Sequence, residues 1–200
     1  MERERGWQIV CAFVKEPGLR RHMLAVEAVM RHYARVLGGD EQQWGMAGLL
    51  HDFDWEVHPT LEDHPAKGAP ILRERGVEED VITCILSHNA PITGVHPSRP
   101  MDFALLACDE ITGLIIAVAL VRPTKDIRQV EVKSVKKKWK EKYFAAGVHR
   151  ESVEAAVEQF SRACFDGKLA LWDHVANVLA AMQSIARELE LDGSAAAAQP

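Results

Sequence analysis

The stretch Phe103-Ala-Leu-Leu-Ala-Cys-Asp109-Glu-Ile-Thr-Gly-Leu-Ile-Ile-Ala-Val-Ala-Leu-Val121 is the greasiest part of the chain, and it carries an acid near its middle. At 3.6 residues per turn, Leu105, Asp109, Ile116 and Leu120 share one side, which predicts a helix that turns Asp109 toward the core. A lone ionised carboxylate in such a place costs several kcal/mol, so it has to be protonated, paired or bound to a metal. The run is long enough to suggest a membrane span. Asp109, Glu110 and Thr112 inside it favour a buried core helix, with no membrane partner.

Outward from this run, nearly everything reads as helix. Leu19, His22, Val26, Val29, Met30, Tyr33 and Leu37 recur at three- and four-residue steps, and Gly38-Gly39 stops them. Asp40 is placed to cap a second helix from Glu41 to about His51. Phe53 to Asp63 has no period and reads as a loop. Short helices are predicted from about Pro65 to Arg75 and from Glu78 to about His88, then a turn-rich stretch from Asn89 to Pro100. Beyond Pro123, helices are predicted over Asp126–Phe144, Glu151–Cys164 and Lys168–Leu191. The last bears an apolar stripe (Trp172, Val175, Leu179, Met182, Ile185, Leu189) that suits either a core or a homodimer seam. No period-2 strand and no repeat is visible.

The expected fold is therefore all-α, a single-domain helical bundle with a C-terminal helical extension. It divides into an N-terminal segment (1–18), a helical core (19–121), packed C-terminal helices (122–191) and a disordered tail (192–200). At 200 residues the chain can bury about 70% of its unfolded surface without disulfides. Cys11, Cys84, Cys108 and Cys164 are scattered, with no C-x-x-C pair, which suits reduced thiols in a cytoplasmic protein. The N-terminus shows no signal-peptide pattern. A net charge of −5 argues against a nucleic-acid-coating partner, while leaving room for a local basic site. The basic run Lys133-Ser-Val-Lys-Lys-Lys-Trp-Lys-Glu-Lys142 reads as a solvated helix face or a lure for an anionic substrate. Trp139 within it reads as core packing, or as a stacking surface for a base. No Gly-x-x-x-x-Gly-Lys loop, Rossmann fingerprint or deaminase cysteine pair appears.

Several polar residues are predicted to face the interior. His22 shares its side with Val26, Val29 and Tyr33. His51 and Asp52 follow directly on Met46-Ala-Gly-Leu-Leu50, and His88 ends an aliphatic helix. Any one of these histidines is more often a hydrogen-bonded core residue than a ligand. Together with Asp109, four separate helices deliver an imidazole or carboxylate to an apolar interior, and bundle cores are where facing helices build metal sites. Imidazole and carboxylate without thiolate suit a hydrolytic or oxygen-activating divalent metal. A carboxylate beside a histidine can bridge two ions, and a two-ion site clamps the oxygens of a displacement at phosphorus.

The order His22 … His51-Asp52 … Asp109 resembles the HD-domain metal-dependent phosphohydrolase superfamily. The resemblance rests on Gly48-Leu-Leu-His-Asp-Phe-Asp54 and Ala107-Cys-Asp109-Glu-Ile-Thr, and covers about Leu19 to Val121. It implies His22, His51, Asp52 and Asp109 as ligands. By analogy with the HD-GYP-like phosphodiesterases, His64 and His88 would hold a second ion and Asp52 would bridge. The chain lacks the Gly-Tyr-Pro signature of those proteins and looks more like a small stand-alone bacterial HD hydrolase. The implied activity is cleavage of a phosphate ester of a small molecule, most plausibly a nucleotide, by metal-activated water. One or two divalent ions (Mn, Fe, Co, Ni, Zn or Mg) would serve. Asp54 would orient that water or move its proton, unless it is an acceptor behind the ligands. Lys67 would contact phosphate, unless it is a solvated lysine. Two competing readings are a non-catalytic metal- or ligand-binding regulatory protein and a diiron oxygenase-like enzyme.

Overall fold

The structure, a computed structural model, describes residues 1–194, and the expected tail falls mostly on residues outside these. It is all-α: among the described residues the only extended pairing is an isolated bridge between Asp126 and Asp192. The described residues form two compact units, one over Met1–Leu105 and one that begins at Leu106. Their division falls within one continuous helix, whereas the sequence pattern places the end of the core at residue 121.

The first unit begins with α1 (Arg3–Phe13), α2 (Pro17–Leu37) and α3 (Glu41–Leu50). α1 lies in the segment to which the sequence pattern assigns no element; it buries Ile9 and Val10. α2 starts where the Glu16 carboxylate accepts the Leu19 amide at 2.5 Å, with Pro17 in the first turn, where a missing N–H costs nothing. It ends at Gly38, whose φ of +71° is the left-handed cap that glycine adopts freely. Asp40 Oδ1 then accepts the amides of Gln42 (2.8 Å) and Gln43 (3.1 Å), as its position before α3 predicts.

α2 and α3 form the most extensively packed pair. Gly48 permits their approach: a Cβ there would lie 2.9 Å from backbone atoms of Val26 and Glu27. The buried Glu27 receives Arg3 Nε at 2.7 Å and Arg31 Nε at 2.9 Å, which ties α1 to α2. α4 (Gly68–Glu74) packs on α5 (Glu79–Ser87), and α5 on α3. α4 begins later than expected, because Pro65–Lys67 are taken up in turns. The turn-rich stretch holds one short helix, α6 (Ala90–Thr93), closed by Gly94 at φ +70°.

α7 (Pro100–Leu120) is the Asp109 helix. Asp102 opens it by accepting the amides of Ser98 (3.1 Å) and Arg99 (3.0 Å). By length and composition it could cross a membrane, but 56% of its apolar window is buried inside the protein, as in a core helix. Leu120, expected inward, is 39% exposed at the helix end, while Ile116 is buried.

In the second unit the expected Asp126–Phe144 helix is broken. A 3-10 turn, Ile127–Gln129, is capped by Asp126, which accepts the Arg128 amide at 3.0 Å. Val130 and Glu131 are extended, and α8 (Val132–Trp139) follows. α9 (Arg150–Cys164) agrees with its pattern. α10 (Leu171–Ser184) is shorter than predicted at both ends, because Gly167 adopts φ +73° before it and the chain leaves helix at Ile185. Leu189 and Leu191 nevertheless stay buried, held by turns in which the Leu191 amide donates to the Ala186 carbonyl at 2.9 Å. α10 packs on α8, α9 and the 3-10 turn.

Candidate metal centre

His22 lies on α2, while His51 and His88 occupy the C-caps of α3 and α5. A C-cap position leaves helix carbonyls without partners, and both rings use one. His51 Nδ1 lies 2.8 Å from the Gly48 carbonyl, and His88 Nδ1 contacts the Ile85 carbonyl. A carbonyl only accepts, so each Nδ1 carries the hydrogen and each neutral ring presents an Nε2 lone pair on its other side. His64, in the turns before α4, is fixed in the same sense by Asp54, whose Oδ1 accepts from Nδ1 at 2.8 Å.

The three lone pairs, together with His22, converge on Asp52. Its Oδ2 lies 3.4 Å from His51 Nε2 and 3.7 Å from His22 Nε2. Its Oδ1 lies 3.2 Å from His64 Nε2 and 3.9 Å from His88 Nε2. One carboxylate thus offers a separate oxygen to each histidine pair. Within the pairs, the Nε2 atoms of His22 and His51 are 3.2 Å apart, and those of His64 and His88 are 2.9 Å apart. Nitrogen lone pairs that close repel unless something positive sits between them.

The electrostatics agree. Burial alone would lower the His64 imidazole, but its hydrogen bonds to Asp52 and Asp54, and their charges, outweigh burial and raise its pKa to about 9. Burial alone would raise Asp52, yet the neighbouring His51, then His64 and His22, hold it well below the usual carboxylate range. In the metal-free protein a proton on His64 relieves the close approach of its Nε2 to His88 and Asp52. The ligand atoms of Asp52, His64 and His88 lie within 4.8 Å of one another, as do those of His22, His51 and Asp52. These oxygen and imidazole donors, with side-chain exposure of 19% at Asp52 and 0% at His51, fit a divalent cation in either group.

The remaining expected residues fall in different places. Asp54 is fully buried behind His64, which suits holding that ring. Lys67 is exposed and pairs with Asp63 at 2.9 Å, one turn back in the chain. Asp109 is half-buried and is the fourth residue of the second unit, on α7; Thr112 Oγ1 donates to its carbonyl at 2.7 Å. His174 is buried and hydrogen-bonded to the Ala107 carbonyl at 2.9 Å, a structural histidine, and His149 is exposed.

Two supporting residues, Gly68 and Trp55, escaped sequence reasoning, and a third, Glu56, reads from the sequence only as a surface residue of the loop. Gly68 makes room for Asp54: a Cβ there would lie 2.5 Å from Asp54 Oδ2. The Trp55 ring sets its edge against His64 with centroids 5.1 Å apart. Glu56 accepts the amides of Lys15 (2.9 Å) and Glu16 (2.7 Å), pinning the entry to α2. Only Gly68 carried any sequence signal, as a glycine one residue after a candidate site lysine.

Among curated proteins, residues of this chain are 31% identical over 93 positions to ribonuclease Y of Thermotoga petrophila and of Thermotoga maritima. They are 29% identical over 94 positions to ribonuclease Y of Oleidesulfovibrio alaskensis. Each match covers 46% of this chain and 18% of the relative, so the chain spans about a fifth of those proteins' length. No solved structure matches it significantly. The HD domain family matches residues 19–119, which is 101 of the 200 residues and takes in every histidine and acid of the cluster. The chain therefore belongs to the HD-domain superfamily of metal-dependent phosphohydrolases.

Proposed function

We propose that the protein hydrolyses a phosphate ester of a small molecule, a nucleotide in the first instance, at a centre for two divalent cations. The observation that carries this reading is Asp52, with one oxygen toward His22 and His51 and the other toward His64 and His88. Asp109, the fourth member of the motif order, is proposed as the remaining ligand of the first group. A divalent pair supplies Lewis acidity toward water and neutralises the phosphoryl oxygens.

The chain's own residues prepare the site for this. Gly48 and Ile85 carbonyls hold His51 and His88 in the tautomer that turns an Nε2 lone pair toward Asp52. Asp54 does the same for His64 and increases its basicity, the arrangement in which a carboxylate behind a ligating histidine strengthens it. Asp54 is therefore a positioning residue in this account, replacing the water-orienting role expected from its sequence position.

The test is metal analysis combined with a hydrolysis panel of nucleoside monophosphates, cyclic nucleotides and dinucleotides in Mn²⁺ or Co²⁺. Asp52→Ala is expected to lose metal and turnover together. Full turnover in that variant contradicts the proposal. The likeness to proteins named ribonuclease Y favours a second reading, in which the bond cleaved is an RNA phosphodiester. A short oligoribonucleotide in the panel separates the two.

A further inference from the structure

The second unit carries a groove of about 560 Å³ between the end of α8 and the start of α9, lined by Trp139, Lys140, Lys142, Val148, Arg150 and Glu151 among others. From Lys133 to Lys142 the chain holds six lysines and one glutamate, in a protein whose net charge is −5. Six of the 24 basic residues therefore fall within this strip of ten consecutive positions.

The charges in the strip are not equivalent. Lys138 is spent on Glu141 at 2.7 Å, and Lys133 on Glu131 at 2.5 Å. The Arg150 guanidinium donates to the carbonyls of Phe144, Ala145 (2.8 Å) and Val148 (2.6 Å), so it braces the wall of the groove. Lys137, Lys140 and Lys142 are exposed and have no carboxylate partner among the described residues. Next to Lys142 in the chain, and outside the groove lining, Tyr143 is 97% exposed, the most exposed of the large apolar side chains. Trp139 backs the groove, its ring edge against Trp172 at 5.7 Å.

We propose that this strip binds single-stranded nucleic acid, with the phosphates on Lys140 and Lys142 and an unpaired base on Tyr143. Several exposed cations without carboxylate partners match a polyanion better than a lone phosphate. An exposed aromatic ring next to them in the chain supplies a flat platform on which unpaired bases stack. A duplex keeps its bases paired and has none to offer Tyr143. The inference stands apart from the hydrolase reading, because binding here needs no metal.

The test is fluorescence anisotropy of a labelled oligouridylate of about ten nucleotides with the full chain in excess EDTA, where the metal centre is inactive. Binding is expected, weakening with salt by about 0.7 logarithmic units per decade of salt for each phosphate held. K140E/K142E is expected to lower affinity at least about tenfold and the salt slope by about 1.4. Y143A is expected to lower affinity about tenfold by removing the stacking surface, while leaving the salt slope unchanged. Both variants should keep wild-type helical circular dichroism and wild-type hydrolysis of bis(p-nitrophenyl) phosphate. The proposal is overturned if the wild type leaves the oligonucleotide free at low salt, or if both variants bind it as the wild type does. It is equally overturned if these substitutions abolish binding to phosphatidylglycerol vesicles and leave oligonucleotide binding intact. Because EDTA removes the hydrolytic metal, an inactive metal centre does not affect this outcome.

Discussion

Asp54→Asn separates a carboxylate that tunes a metal ligand from one that only fills space. The side chain is fully buried, with Oδ1 2.8 Å from His64 Nδ1, and asparagine preserves its volume and one acceptor. Two effects oppose each other. Loss of a carboxylate behind a ligating histidine typically weakens metal binding about 10- to 100-fold. In the native protein, however, His64 titrates at about 9, so near pH 7 a proton competes for its Nε2 and suppresses binding about 100-fold. Asp54→Asn removes one of the two carboxylates that sustain this shift and relieves part of the competition, while Asp52 maintains the rest. The variant should therefore bind Mn²⁺ with an affinity close to wild type near pH 7 and fall behind as the pH approaches 9. The ratio of the two affinities should move by roughly tenfold across that interval. Calorimetric titration under anaerobic conditions at several pH values measures it, and the His64 imidazole resonance of the metal-free variant should titrate below about 9. A ratio that stays constant with pH would show that Asp54 only supports packing, and would refute the reasoning.

Other expectations follow from particular contacts. Gly48→Ala places a Cβ 2.9 Å from α2 backbone, which should cost about 1–3 kcal/mol in thermal unfolding and weaken metal binding by separating His22 from His51. Glu27→Ala removes the shared partner of Arg3 and Arg31 and should cost about 2 kcal/mol in urea unfolding, with metal affinity unchanged. For the metal-free protein, His64 titrates at about 9 when folded against 6.5 as its ordinary value. Its contribution, roughly 3 kcal/mol, is then fully present below about pH 6.5 and lost as the pH rises through about 9. Denaturant midpoints across that range should fall in the metal-free protein, and a flat profile would contradict the assignment. Metal binding near pH 7 should release a proton, seen as a buffer-dependent binding enthalpy.

The fold was legible wherever an apolar stripe coincided with a capping residue. α2 and α3 could be read because Asp40 and Gly38 mark their ends, and α7 because its hydrophobic run is long and broken only by Asp109, Glu110 and Thr112. The helix expected over Asp126–Phe144 failed because periodicity does not register a local side-chain cap such as Asp126, nor the extended Val130 and Glu131 that follow it. Leu189 and Leu191 misled for a related reason: a buried leucine in tight turns fits the same stripe as one in a helix. At the metal centre, the ligand types and their order were visible in the sequence. The division of Asp52's two oxygens between histidine pairs was not, since it depends on where the ends of α3 and α5 meet in space. Asp54 illustrates the limit most clearly. Its sequence position two residues past the His-Asp pair fits a catalytic group equally well, and its burial behind His64 is what supports the positioning role proposed for it.

The most direct test of the central claim is anomalous diffraction from crystals grown with Mn²⁺ or Co²⁺. The account predicts density on both sides of the Asp52 carboxylate, one peak within about 2.0–2.3 Å of His51 Nε2 and the other at a similar distance from His64 Nε2. Crystals at saturating metal with no anomalous density beside Asp52, and the imidazoles still facing one another, would contradict it.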